Sequence, residues 1–143
     1  MGDGTRLADS FIHLGLGATA IEQPPFDGME WYAGYGARHG DDGAEGRLVS
    51  LYTFAEDWDS WEVHPNDADV VLCTEGAMTL TQDFPDGRRE RVRIEAGEYA
   101  INPPGVWHTA DIDGSNAGGQ ATAVFITAGE GTEHRSRSDF PTD

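Results

Sequence analysis

A chain of 143 residues is long enough for one domain with its own core and too short for two comfortable ones. Nine basic against 26 acidic residues give a formal charge of −17, which repels a phosphate backbone and an anionic bilayer, so neither nucleic acid nor a membrane is an expected partner. The single Cys73 cannot form an intramolecular disulfide, no basic and apolar leader of signal length is present, and no unbroken apolar run approaches a bilayer span, so a soluble cytoplasmic protein is expected.

Residues 1–45 hold short apolar pieces, such as Phe11-Ile12-His13-Leu14, between glycines and acids, without a sustained period of either kind. They read as an N-terminal arm packed on the rest of the chain or on a partner subunit. Asp27 is placed to cap one short helix through Met29 to Tyr32, which Gly34, Gly36 and Gly40 keep short. His13 and His39 have no companion ligand at a regular spacing and read as surface or packing histidines.

From Arg47 the chain is dominated by strand formers. Arg47 to Phe54 and Trp61 to His64 read as strands, Pro65-Asn66-Asp67 as a turn, and Asp69 to Cys73 as a third strand with Cys73 acting as a small hydrophobe. Met78 and Leu80 alternate with threonines, Val92 and Ile94 with arginines, and Pro85-Asp86-Gly87 joins the two runs as an antiparallel hairpin. Tyr99 to Asn102, Val106 to Ile112 and Ala121 to Thr127 complete the set. Many short strands and at most one helix give an all-β sandwich or barrel over residues 46–128, followed by a polar tail at 129–143 with no core-forming residue beyond Phe140. Asp69 to Cys73 is apolar on both faces, so the arm or a second subunit is expected to cover the outer one, a homodimer being the commonest arrangement.

Strand alternation points Glu62 and His64 the same way, and the turn at Pro65 to Asp67 resets parity so that Asp69 can join them. His108 follows Pro103-Pro104-Gly105, a bend that aims the next strand back across the barrel. By the same alternation Trp61 and Trp107 face away from the site. Tyr52, Trp58 and Tyr99 are candidates for the lining of the cavity mouth, where a ring offers an apolar wall and a polar tip.

These two stretches resemble the paired motifs of the cupin superfamily. The first cupin motif closes on His-x-His, a glutamate and a glycine; here His64 holds the second histidine place, Asp69 the glutamate place and Gly76 the glycine place, with Glu62 standing where the first histidine does. Gly97, Pro103, Gly105 and His108 match the second motif without a gap, and Ile112 stands where an asparagine often follows. The resemblance implies a double-stranded β-helix, or jelly-roll, barrel and a divalent metal (manganese, iron, zinc or nickel) held by Glu62, His64, Asp69 and His108, with no organic cofactor. It further implies a small oxygenated metabolite as substrate in dioxygenase, isomerase or lyase chemistry, His108 and Glu62 being the candidate catalytic residues. Two other readings accompany it: a metal-free module that binds a sugar or carboxylic acid without catalysis, and metal-independent acid/base chemistry by His108 with Glu62 or Asp69.

Overall fold

The computed structural model describes residues 2–128 and 131–139. Among the described residues, eleven strands and one α-helix follow one another as β1 (Ser10–Gly15), β2 (Thr19–Pro25), α1 (Trp31–His39), β3 (Arg47–Phe54), β4 (Ser60–Val63), β5 (Asp69–Glu75), β6 (Ala77–Asp83), β7 (Arg89–Glu95), β8 (Tyr99–Asn102), β9 (Trp107–Ile112), β10 (Ala121–Ala128) and β11 (Glu133–Ser136). They form two antiparallel sheets, ordered β2-β1-β3-β10-β5-β8 and β11-β4-β9-β6-β7. The expected all-β architecture is therefore present. Its core lies between the sheets, where Val71 and Cys73 of β5, Met78 and Leu80 of β6, Ile94 of β7, Ala110 of β9 and Phe125 of β10 are buried.

Short-range chemistry accounts for the connections. The β6–β7 hairpin turns at Pro85-Asp86-Gly87, where Phe84 N–H donates to Arg88 O, Asp86 accepts from Arg88 N–H, and Gly87 takes a φ of 90°. Gly76, between β5 and β6, has a φ of 74°, and a Cβ there would lie 2.6 Å from the carbonyl oxygen of Gln120. Glycine is required at that position twice over, by conformation and by space.

Residues 1–45 are more ordered than the reading of an arm implied. β1 pairs with both β2 and β3, extending the six-stranded sheet at that edge. Phe11 and Leu48 bury Trp31 and Tyr35, one turn apart on α1, which explains why the helix runs through Gly34 and Gly36 to His39. Asp27 does not cap it: the residue before the first turn is Glu30, with no side-chain cap bond. Tertiary burial of the aromatic pair, rather than capping, sets where the helix begins. His13 is fully buried, donating from Nε2 to Asp42 at 2.6 Å and accepting from the Tyr35 hydroxyl at 2.6 Å, so the packing alternative applies to it.

The C-terminal stretch also differs from a plain tail. Glu133 to Ser136 pair with Val63 to Ser60 in register and extend the sheet that carries the site. Phe140 lies outside the described residues. Trp61 is fully buried on the face opposite Glu62, beneath the Arg89 guanidinium at 5.6 Å from its ring. No helix among the described residues is long and apolar enough to cross a membrane.

Candidate metal centre

The site is assembled by sheet register. On β4, Glu62 pairs with His134 of β11 on one side and with His108 of β9 on the other, and His108 pairs in turn with Gln82 of β6. Residues directly opposite in antiparallel strands share a face, so His134, Glu62, His108 and Gln82 form one row across four strands. His64 lies two residues along from Glu62, immediately after β4, and Gly105 N–H donates to its carbonyl at 3.1 Å, which ties the Pro-Pro-Gly turn to the first motif. Asp69 begins β5 in the facing sheet. The four residues named from the sequence, Glu62, His64, Asp69 and His108, thus come from β4, its end, β5 and β9.

They meet closely. Glu62, His64 and His108 each present one ligating atom within 4.8 Å of the others. Asp69 Oδ2 lies 3.8 Å from His64 Nε2 and 3.5 Å from His108 Nε2. Both imidazoles are oriented from behind: His108 Nδ1 donates to Val106 O at 3.3 Å, and His64 Nδ1 meets the Thr132 hydroxyl at 3.0 Å. The bond to Val106 O leaves the Nε2 lone pair of His108 facing the common point, and His64 turns its own Nε2 to the same point. His64 Nε2, His108 Nε2 and Asp69 Oδ1 are all buried without a hydrogen-bond partner among the described residues, although His64 Nε2 is 2.9 Å from Glu62 Oε1. Orphaned buried polar atoms are costly, and here the two Nε2 atoms face the same carboxylate, Asp69. Two imidazole nitrogens and two carboxylates match the donor set and the charge of a divalent cation.

The electrostatics are those of a tightly coupled cluster. Burial pushes Glu62 up, but contact with His134 and His64 and the nearby His108 overcome it and hold the carboxyl well below the usual range. Burial likewise lowers His64, yet the contact with Glu62 and the charge of Asp69 leave it raised. At His108 burial prevails over the two carboxylates and the ring is shifted towards the neutral form. Burial also prevails at Asp69, which is raised despite the two imidazoles and Asn102.

Sequence reasoning did not find the support behind Asp69. Gln82 Nε2 donates to Asn102 Oδ1 at 2.8 Å and to Ile101 O at 3.0 Å, and Asn102 Nδ2 donates to Asp69 Oδ2 at 3.0 Å. Nor did it find His134, whose Nε2 is 3.3 Å from Glu62 Oε2 and whose pKa is raised by that carboxylate. A cavity of about 870 Å³ opens beside the centre, with Glu62, His64 and His134 in its wall. Tyr52 and Trp58 line it, as does Tyr32 of α1, hydrogen-bonded to Tyr52 through the two hydroxyls. Tyr99 does not: it is 63% exposed on the outer face of β8 and is absent from the cavity wall, because strand alternation gives the inward places to Ala100 and Asn102.

No protein-family model matches the sequence, and no curated protein matches it. Solved structures similar to this one include an oxalate oxidase, at 16% identity over 68% of this chain and 50% of that one with a TM-score of 0.54. The oxalate decarboxylase of Bacillus subtilis is similar at 17% identity, 63% and 23% coverage and a TM-score of 0.50, and a cupin-2 domain protein from Shewanella frigidimarina at 20%, 57%, 70% and 0.45. The chain has the cupin fold. The chain spans half of the oxalate oxidase and less than a quarter of the decarboxylase, and at these identities the likeness concerns the fold alone.

A second cluster, His13, His39 and Asp42, contrasts with the centre in the barrel. Its donors are already engaged, His13 by Asp42 and Tyr35 and His39 Nε2 by the Gln23 amide at 2.9 Å. The two rings stack at 4.0 Å with 14° between their planes, so their lone pairs run side by side instead of converging. This is a hydrogen-bonded pin between β1 and α1.

Proposed function

We propose that this cupin holds a divalent metal through Glu62, His64, Asp69 and His108 and acts on a small oxygenated molecule bound in the adjoining cavity. The observation that carries the reading is the convergence of four potential ligands: His64 Nε2 lies 2.9 Å from Glu62 Oε1 and 3.8 Å from Asp69 Oδ2, and the buried, unpartnered His108 Nε2 lies 3.5 Å from Asp69 Oδ2. When bound, a metal of this kind supplies Lewis acidity towards an oxygen donor, and dioxygen activation if it is iron. The chain's own residues then have defined tasks. Val106 O and Thr132 hold the imidazoles in the liganding orientation, Gln82 and Asn102 hold the Asp69 carboxylate, and His134 holds the outer oxygen of Glu62. The aromatic wall of Tyr52, Phe54, Trp58 and Phe125 excludes water from one side of the cavity.

The test is metal analysis on untagged protein purified with chelator and then reconstituted. About one metal per chain, lost in Glu62→Ala and His108→Ala variants that remain folded by circular dichroism, supports the reading; sub-stoichiometric metal in the parent, unchanged in the variants, refutes it. The 2.9 Å approach of His64 Nε2 to Glu62 favours a second reading, a metal-free module in which the carboxylate partners a protonated imidazole. Thermal stabilisation by small metabolites in the presence of EDTA, with none by metal, would favour it.

We further propose that the protein is a cytoplasmic homodimer joined through the outer face of the six-stranded sheet. Register aligns Ile12, Val49, Ile126, Val70 and Ile101 in one row across five strands, and Leu51, Val124, Leu72 and Tyr99 in the next. At ~4.8 Å between strands and ~6.8 Å between rows, this uncharged patch covers roughly 300–400 Å². That is a suitable apolar centre for an interface of ~800 Å² per subunit, and a chain of charge −17 that keeps such a face free of charge spares it for a second copy. Light scattering should give twice the monomer mass for the parent and the monomer mass for Ile101→Glu; a monomeric parent refutes the arrangement.

A further inference from the structure

The cavity beside the metal centre has an unusual charge. Its wall contains Glu56, Asp57, Asp59 and Glu62 and not one lysine or arginine. The chain contains no lysine anywhere, and Arg137, which reaches the same region, is turned onto Trp58 O at 3.0 Å and Asp111 at 2.8 Å. A bound divalent metal does not reverse this balance, because Glu62 and Asp69 already offset it. A dianionic acid would therefore find no cationic side chain to grip its far end, beyond His134 at the rim, and would meet three further carboxylates on the way in.

The rest of the wall is aromatic. Tyr52, Phe54, Trp58 and Phe125 form a continuous surface, with successive ring centroids 5.6 to 6.1 Å apart, and Tyr32 and Tyr35 of α1 add to the lining. Trp58 is the central member: its ring is 6.3 Å from His108, and Trp58 Nε1 is buried without a hydrogen-bond partner among the described residues. Electron-rich ring faces attract a desolvated organic cation, and acidic groups around the entrance concentrate it from solution. At the inner end of the same wall His64 Nε2 and Glu62 Oε1 lie 2.9 Å apart, and the buried, unpartnered His108 Nε2 stands 3.9 Å behind that Glu62 oxygen.

We infer that the substrate or ligand of this site is an organic cation: an alkylated ammonium group lies against the aromatic wall below the acidic rim, and an oxygen donor on the same molecule reaches the centre formed by Glu62, His64, Asp69 and His108. This rests on the reading of the cavity as the ligand site and adds the class of molecule that enters it. Neutral phenols would use the rings but gain nothing from the carboxylates, and small dicarboxylates would use neither.

The experiment compares choline with 3,3-dimethylbutan-1-ol, which has the same shape and the same hydroxyl but a carbon in place of the charged nitrogen. Both are titrated calorimetrically into the full chain, with metal content measured on the same sample. Binding of choline about tenfold or more tighter than its neutral counterpart at low salt, the gap narrowing as salt is raised, supports the inference. Asp59→Asn and, independently, Trp58→Leu should each weaken choline severalfold while leaving metal content unaltered; if Trp58→Leu fails to fold, Asp59→Asn decides. Equal affinity for the two probes overturns the inference, as does tighter binding of oxalate or of phenol than of choline, or no choline binding by protein that is fully metal-loaded. Preferential choline binding by protein that takes up no metal would refute the metal chemistry proposed above and still uphold the cationic ligand.

Discussion

Replacing Asn102 by alanine tests whether the buried relay behind Asp69 is what holds the centre together. Asn102 is 1% exposed and joins two groups that have few other partners, accepting from Gln82 at 2.8 Å and donating to Asp69 at 3.0 Å. Truncation removes a hydrogen bond to a carboxylate, worth about 1.5–3 kcal/mol, and a neutral one worth about 1 kcal/mol. Gln82 keeps its second bond, to Ile101 O, so its amide is not wholly orphaned. The expected loss is about 3 kcal/mol in urea unfolding. The coupling to Asp69 should be visible in a double-mutant cycle: Asn102→Ala and Asp69→Ala together should cost at least about 1 kcal/mol less than their sum. Metal affinity should fall about 10- to 100-fold, because a liganding carboxylate that is no longer held must be ordered on binding. A stability loss below about 0.5 kcal/mol, or strict additivity of the two variants, would refute the account of the relay whether or not metal binds.

Three further outcomes follow from the fold and its buried groups. Gly76→Ala should cost more than about 3 kcal/mol, combining left-handed strain with the collision on Gln120 O, whereas Gly105→Ala, where the same strain meets open space, should cost about 1–2 kcal/mol; urea midpoints of the two variants check the order. Burial, reinforced by Asp42, pushes the Tyr35 hydroxyl up to about 12, so its contribution to stability is fully present below the ordinary tyrosine value near ~10 and is lost as pH rises through about 12. Ultraviolet titration should accordingly show phenolate appearing late, with a concerted rise on alkaline unfolding, and a Tyr35→Phe variant should lack this component. Cys73 is fully buried and its thiol is raised by burial, so a thiol reagent should react only after denaturant unfolds the chain; labelling of native protein within minutes would contradict the packing of β5.

Strand existence was legible because the local signals agreed with one another. The alternation of Met78 and Leu80 with threonines, the Pro-Asp-Gly turn and the alternation of Val92 and Ile94 led to β6 and β7 with the hairpin in place. The N-terminal segment was not legible in that way. β2 is exposed along most of its length and carries no clear period, so its pairing with β1 comes from backbone hydrogen bonds and from the edge that β3 offers, neither of which leaves a mark in composition. The same holds at α1, whose start is set by the burial of Trp31 and Tyr35 against Phe11, a contact between residues some twenty positions apart.

The centre divides along a similar line. Glu62, His64, Asp69 and His108 could be read because each sits within a short motif whose spacing is itself a structural statement: two residues on a strand share a face, and a Pro-Pro-Gly turn redirects the next one. His134, Asn102 and Gln82 carry no such spacing. His134 reaches Glu62 only because β11 pairs with β4 in the register that sets the two opposite each other, and a slip of one residue would send it to the other face. Asn102 and Gln82 lie in different sheets, so their meeting depends on closure of the whole barrel. The four candidate ligands are therefore encoded locally, whereas the hydrogen bonds that orient them are encoded in topology. A substitution that weakens the pairing of β11, such as Arg135→Pro, which removes a strand N–H opposite Trp61, should leave His64, Asp69 and His108 in place yet loosen Glu62 and enlarge the entrance; on the proposed function, retained metal with altered ligand affinity would be its signature.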